Sequence, residues 1–191
     1  MKFLAKILSR LIPIKKYRKP VLNWLENILW CSETNNIYIW KIKKTAKSVG
    51  KNLRVSASSK VNKNTMLGDN ICLYGLKIAG KGNVKIGLNT IVAGDCMIVT
   101  ENHRYEGDTI PYDPTPVCRD VEIGDFVWIG TRVLILPGTK IGEGAIIQGG
   151  AVVHGEIPPY AIAGGNPAKV FKYRDIEHFN KLKNEGKFYI K

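Results

Sequence analysis

The sequence predicts a mainly β protein: a parallel β-helix wound from hexapeptides, preceded by a helical segment and followed by a short helix. Three observations predict it. From Ile123 onward every sixth residue is aliphatic and branched: Ile123, Ile129, Ile135, Ile141, Ile147 and Val153. Two places before each stands a small or β-branched residue: Val121, Val127, Val133, Thr139, Ala145 and Ala151. An upstream block repeats the pattern at Val55, Val61, Leu67, Leu73 and Ala79 and, after a slip in the "GKGN" turn, at Ile86, Val92 and Ile98. A period of six suits neither a 3.6-residue helix nor a plain period-2 strand. It suits a coil with three short flat sides, whose aliphatic row fills a narrow core that each coil buries against the next. Glycines that follow the rungs, such as Gly68, Gly80, Gly124, Gly130 and Gly142, are expected at the corners, where glycine tolerates unusual φ angles.

Residues 1–50 lie outside the repeat. They carry eleven Lys and Arg against only Glu26 and Glu33, which supplies +9 of the formal net charge of +13. "MKFLAKILSRLI" sets Phe3, Leu4, Ile7, Leu8 and Leu11 on one helical face, and "VLNWLENILW" reads as a second, tryptophan-rich helix. Two roles suit such a segment. It can cap the open end of a solenoid, or it can lie on a membrane surface with Trp24, Trp30 and Trp40 at the interface. Nucleic-acid binding fits worse, because a face this apolar would be wasted on phosphates and no nucleic-acid module is visible. Lys6, Arg10, Lys15 and Lys16 interrupt any secretory h-region, and no run reaches the roughly 20 apolar residues of a membrane span. Cys31, Cys72, Cys96 and Cys118 form no CxxC pair, which fits a reducing, cytoplasmic setting; Cys72 and Cys96 fall at positions expected to be buried.

The repeat domain spans residues 51–172 and breaks once, over 99–122. The ladder calls for an apolar residue at 104, but Arg104 stands there, and the phase returns only at Ile123. The break holds Pro111, Pro114 and Pro116, several acidic residues and His103, one of three histidines in the chain. Long excursions in compact repeats are functional or disordered. Residues 173–191 form a tail in which Ile176, Phe179 and Leu182 suggest a short helix packed on the solenoid or on a neighbour.

The stretches "IGDFVWIG", "ILPGTKIGEGA" and "IPPYAIAGGNPAK", with the basic residues that follow, stand in an order and spacing that resemble the left-handed β-helix hexapeptide acyltransferases. Within that family the chain resembles the sugar O-acetyltransferase branch, which includes the maltose and galactoside acetyltransferases. The resemblance covers residues 55–174 and is the sole source of the expected left hand, since parallel crossovers otherwise run right-handed. It implies a homotrimer, acetyl-CoA as co-substrate, no metal, and a catalytic histidine just before the extended loop, which "ENH" matches at His103. It further implies that Trp128 lines the pantetheine channel, that Thr131, Gly149 and Gly150 approach the pantetheine amides, and that Lys169, Lys172 and Arg174 meet the CoA phosphates. His154 stands where the family often has threonine and is expected to touch the cofactor at most. A solvated basic tail is the plain alternative for the last three.

Histidine suits the chemistry. A sugar hydroxyl is a weak nucleophile at neutral pH, and an imidazole of pKa near 6.5 can take its proton as the oxygen attacks a thioester. The other ring nitrogen needs an orienting acceptor, for which Glu101, Asp95 or a main-chain carbonyl are candidates. Asn102 adjoins the histidine, and Asn70 is a weak candidate for acceptor binding. Three rivals stay open: an N-acetyltransferase of an amino-sugar nucleotide, an antibiotic acetyltransferase, and a non-enzymatic scaffold. A zinc enzyme on the same solenoid is disfavoured, because His103, His154 and His178 lack the ligand spacing. The greasy, basic N-terminus favours a surface-polysaccharide or lipid-linked glycan acceptor at the inner face of the cell membrane.

Overall fold

The computed structural model describes residues 36–190. It is a parallel β-solenoid of about six turns with a helix at each end. The first wall stacks six strands: Ser48–Val49, Thr65–Leu67, Val84–Ile86, Val121–Ile123, Lys140–Ile141 and Glu156–Ile157. The second stacks Arg54–Ala57, Cys72–Tyr74, Ile91–Val92, Trp128–Ile129, Ile146–Ile147 and Ala161–Gly164. The third stacks Lys77–Ala79, Met97–Val99, Leu134–Ile135 and Val152–Val153. Ile123 pairs with Ile141, Ile129 with Ile147 and Ile135 with Val153, each 18 residues apart, so three hexapeptides make one turn.

The predicted rows form the core. All six residues from Ile123 to Val153 are at most 3% exposed, and the second row from Val121 to Ala151 is buried as well. Each buried aliphatic side chain contributes on the order of 1.5–3 kcal/mol. The upstream block departs at one rung. Ile78, not Ala79, enters the core beneath Ile98. The slip therefore begins one side of the coil before "GKGN", with a five-residue step from Leu73 to Ile78.

The glycines also act differently from the expectation. Gly80 has the expected positive φ, +90°, but Gly68, Gly124, Gly130 and Gly142 have ordinary φ; left-handed positions are filled by other glycines, such as Gly138, Gly144 and Gly150, and by residues such as Asn70, Asn89, Phe126, Arg132 and Tyr160. What the glycines of ordinary φ supply is room. A Cβ on Gly124 would stand 2.8 Å from the backbone nitrogen of Glu143, and one on Gly142 would stand 2.7 Å from Pro159 Cα. The next coil passes directly beneath them.

Both ends are covered, as a solenoid requires. Helix α1 (Asn36–Thr45) puts Ile42 into the core at 1% exposure, with Tyr38 and Ile39 packed against it. The amphipathic stretches predicted over residues 1–35, with Trp24 and Trp30, lie outside the described residues. At the other end Lys169–Tyr173 turns back antiparallel along Ala161–Gly164. Helix α2 (Ile176–Asn184) follows, N-capped by the Asp175 carboxylate, which accepts from the His178 amide at 2.9 Å. Phe179 of α2 packs edge-on against Phe126 and Tyr160. Among the described residues no helix is long and apolar enough to cross a membrane. Cys72 and Cys96 are buried and Cys118 is exposed.

Candidate active site

The break in the repeat is an antiparallel hairpin. Glu101–Arg104 pairs with Asp113–Cys118, with Glu101 opposite Cys118, Asn102 opposite Val117 and His103 opposite Pro116. Across it Ile98 pairs with Ile135, 37 residues on rather than 18, so the excursion adds 19 residues to one turn. It leaves at the corner between the third and first walls. The buried Thr100 closes its root: its hydroxyl donates to Ala79 O at 2.9 Å and accepts from the Gly82 amide, while its carbonyl accepts from Arg119 N. On the returning side the Asp120 carboxylate accepts from the backbone and side-chain nitrogens of Asn83, at 2.7 and 2.9 Å. The rigid turn beneath thus fixes the angle at which the hairpin stands.

Near its tip the hairpin is folded on itself. Asp113, only 7% exposed, accepts from the Thr115 amide, and Thr109 donates to the Tyr112 carbonyl. This brings the Tyr112 ring flat onto the imidazole of His103, with centroids 3.9 Å apart and planes 13° from parallel. His103 itself is exposed. It lines a groove of about 440 Å³ with Asn102, Arg104, Tyr105, Glu106, Val117, Arg119 and Pro137. Pro137 belongs to the coil beyond, at the same corner, and His154 is exposed one coil further along it.

The other predicted residues are dispersed. Glu101 turns toward the root, where its carboxylate accepts from the Lys81 amide at 3.2 Å and from the Cys118 thiol at 3.5 Å. Desolvation, then that hydrogen bond, holds the thiol above its ordinary range. Asp95 and Asn70 occupy left-handed corner positions, and Asn70 accepts from Asn52 Nδ2 at 2.9 Å. Trp128, 53% exposed, points outward from the second wall in register with Ile91, Ile146 and Ile162. Thr131, Gly149 and Gly150 sit at the next corner, where Gly150 N donates to Thr131 O at 2.8 Å and a Cβ on Gly149 would come within 3.1 Å of that oxygen. Lys169 and Lys172 are exposed on the final strand. Arg174 is engaged elsewhere: its Nε donates to Gly144 O at 2.6 Å and its guanidinium lies over Phe179, in surroundings whose desolvation lowers its pKa. The groove at His103 contains none of these second-wall residues. Among the described residues no three His, Cys, Asp or Glu side chains are grouped to hold a metal ion.

Sequence reasoning missed Tyr112, Arg119 and Pro137. Tyr112 had only an aromatic beside Pro111 as its signal; which residue it would face depends on hairpin register.

Residues 120–155 match the bacterial transferase hexapeptide family of six repeats. That segment carries the hexapeptide repeat of bacterial transferases. It is 52% identical over 102 residues to a chloramphenicol acetyltransferase of Klebsiella aerogenes, covering 46% of each chain. It is 35% identical over 103 residues to the putative lipopolysaccharide biosynthesis O-acetyl transferase WbbJ of Escherichia coli K12, covering 50% of this chain and 53% of that one. The chain thus spans about half the length of these relatives. Among solved structures, the hexapeptide-repeat chain superposes on a maltose O-acetyltransferase from Clostridium difficile 630 with TM-score 0.54 and 26% identity, covering 91% and 86% of the two chains. It superposes on a galactoside acetyltransferase in complex with coenzyme A with TM-score 0.59 and 20% identity, covering 93% and 81%, which bears on the fold alone.

Proposed function

We propose that this hexapeptide-repeat protein transfers acetyl from acetyl-CoA to a sugar hydroxyl, in the biosynthesis of a surface polysaccharide or lipid-linked glycan, with His103 as general base. The observation that carries the reading is the hairpin over 101–118, rooted in a rigid coil, that presents an exposed imidazole over a polar groove. The His103 ring accepts the hydroxyl proton while the oxygen attacks the thioester carbonyl; the tetrahedral adduct expels CoA as thiolate, and the imidazolium returns the proton to sulfur. An ester and free thiol result, without metal or covalent enzyme intermediate. Tyr112, stacked on the ring, restricts its orientation.

The residues present fit coenzyme A. Trp128 offers an exposed ring, nothing lies within 4 Å of a Cβ at Gly150 so the corner beside it is open, and Lys169 and Lys172 are exposed to meet phosphates. Arg174 would support that end indirectly by holding α2. These groups stand one wall away from His103, so the reading requires a second copy to bring its second wall to the hairpin of the first, as in a cyclic homotrimer. The outward stripes support it. The second wall shows Ile91, Trp128, Ile146 and Ile162, and the third Met97, Leu134 and Val152, whereas the first alternates Lys85, Glu122, Lys140 and Glu156. A cytoplasmic setting beside the membrane suits such acceptors, and residues 1–50 are the candidate contact.

The 52% identity to a chloramphenicol acetyltransferase favours a second reading, an antibiotic acceptor. One experiment separates them: thiol release from acetyl-CoA with a panel of sugars, polysaccharides and chloramphenicol, on wild type and His103→Ala. Loss of general-base catalysis should lower kcat by about 10²- to 10⁴-fold, with trimer mass and CoA affinity retained. Unchanged turnover in the variant would refute the base assignment.

A further inference from the structure

From Asn36 to Gly68 the chain contains eight cations and no acidic residue; the next carboxylate after Glu33 is Asp69. Those residues make α1 and the first coil, so one end of the solenoid is uniformly basic while the first wall further along alternates its charges. The helix at that end has a second unusual face. Ile42 turns inward, and Ile37, Trp40, Lys41 and Lys44, spaced at helical i, i+3, i+4 and i+7, form the opposite stripe. Ile37 is 53% and Trp40 57% exposed, and the Lys44 ammonium lies 5.1 Å from the Trp40 ring centre. Beside the stripe a cleft of about 250 Å³ runs between α1 and the first coil, lined by Trp40, Lys41, Lys44, Ser59, Lys60 and Val61.

We propose that this end of the solenoid is a docking surface for an anionic lipid bilayer, with Trp40 and Ile37 entering the headgroup boundary and Lys41, Lys44 and Lys60 meeting lipid phosphates in and around the cleft. Tryptophan and lysine on one helical stripe divide the work a bilayer interface requires: an amphipathic ring at the headgroup level, and cations drawn to surface charge. An anionic glycan would use the lysines but gives an exposed isoleucine no partner. Docking at this end would hold the hairpin, several coils along, beside an acceptor attached to the membrane; surface binding itself does not depend on the proposed reaction.

The test uses the full chain and sedimentation with vesicles of phosphatidylcholine alone or with one-third phosphatidylglycerol. Binding is expected only with phosphatidylglycerol and should weaken with salt. Ile37→Ser/Trp40→Ser and Lys41→Gln/Lys44→Gln should each weaken it about tenfold, while Lys85→Gln/Lys140→Gln, which removes the same charge from the first wall, should not. All three variants should keep the wild-type rate on a soluble acceptor, so a failed docking surface and a failed acetyltransferase reading would be told apart. Equal binding by the α1 variants and wild type would overturn the proposal. So would binding to phosphatidylcholine alone, preference for a soluble anionic glycan over vesicles, or a large melting loss in Ile37→Ser/Trp40→Ser, which would reveal cover by the chain itself.

Discussion

Gly142→Ala and Gly155→Ala separate two reasons for glycine in this solenoid. Gly142 has ordinary φ, but a Cβ there would stand 2.7 Å from Pro159 Cα and from its ring Cδ. Carbon pairs settle at about 3.5 Å or more, so the coils must part by close to 1 Å at a corner where Gly142 N donates to Ile157 O at 2.8 Å. The obstacle is backbone and a closed ring, which no rotamer change relieves. Overpacking of this kind costs about 1–3 kcal/mol, and loss of the hydrogen bond adds about 1 kcal/mol. Gly155 is the converse: φ is +69° and nothing lies within 4 Å of a Cβ. Alanine there pays the left-handed penalty of about 1–2 kcal/mol, less roughly 0.4–1 kcal/mol returned by a stiffer unfolded chain. Two-state melting should show Gly142→Ala lower than wild type by roughly 4–16 °C and Gly155→Ala by the smaller amount, at most roughly 6 °C, at about 2–4 °C per kcal/mol for a chain of this size. Equal losses, or the reverse order, would refute the argument that the rung glycines serve close approach.

The Cys118 thiol, held up by desolvation and by Glu101, should react slowly with iodoacetamide at pH 8; Glu101→Gln should bring its pKa down and speed alkylation several-fold, and equal rates would contradict the contact. The Lys183 ammonium, raised chiefly by its hydrogen bond to the Glu143 carboxylate, ties α2 to the solenoid. A raised lysine contributes its stability in full below the unfolded-state value and loses it as pH rises through the folded one. Lys183→Met should therefore cost a pH-independent amount of about 0.5 kcal/mol through neutrality, discounted for exposure, with the gap to wild type closing only above the ordinary lysine range; a gap closing below pH 8 would count against the pairing.

The sequence by itself determined the solenoid. Rows such as Val121–Ala151 and Ile123–Val153 state which side chains go inward, because a six-residue period and burial on alternate positions leave one consistent set of inward positions. It also marked the excursion, since Arg104 cannot take an aliphatic rung, and the α2 helix, through Ile176, Phe179 and Leu182. Burial pattern is local information and survives in one chain. What only the tertiary structure decided are relations between residues that no period connects. Hairpin register brought Tyr112 onto His103; the packing of α2 took Arg174 to Gly144 rather than to the basic strand; close stacking of coils, not φ, accounted for Gly124 and Gly142. Ile78 displaced Ala79 because a five-residue step puts the larger side chain under Ile98. The separation of His103 from Trp128 by a whole wall is of the same kind: each residue is readable alone, and the distance between them exists only once the coil is closed.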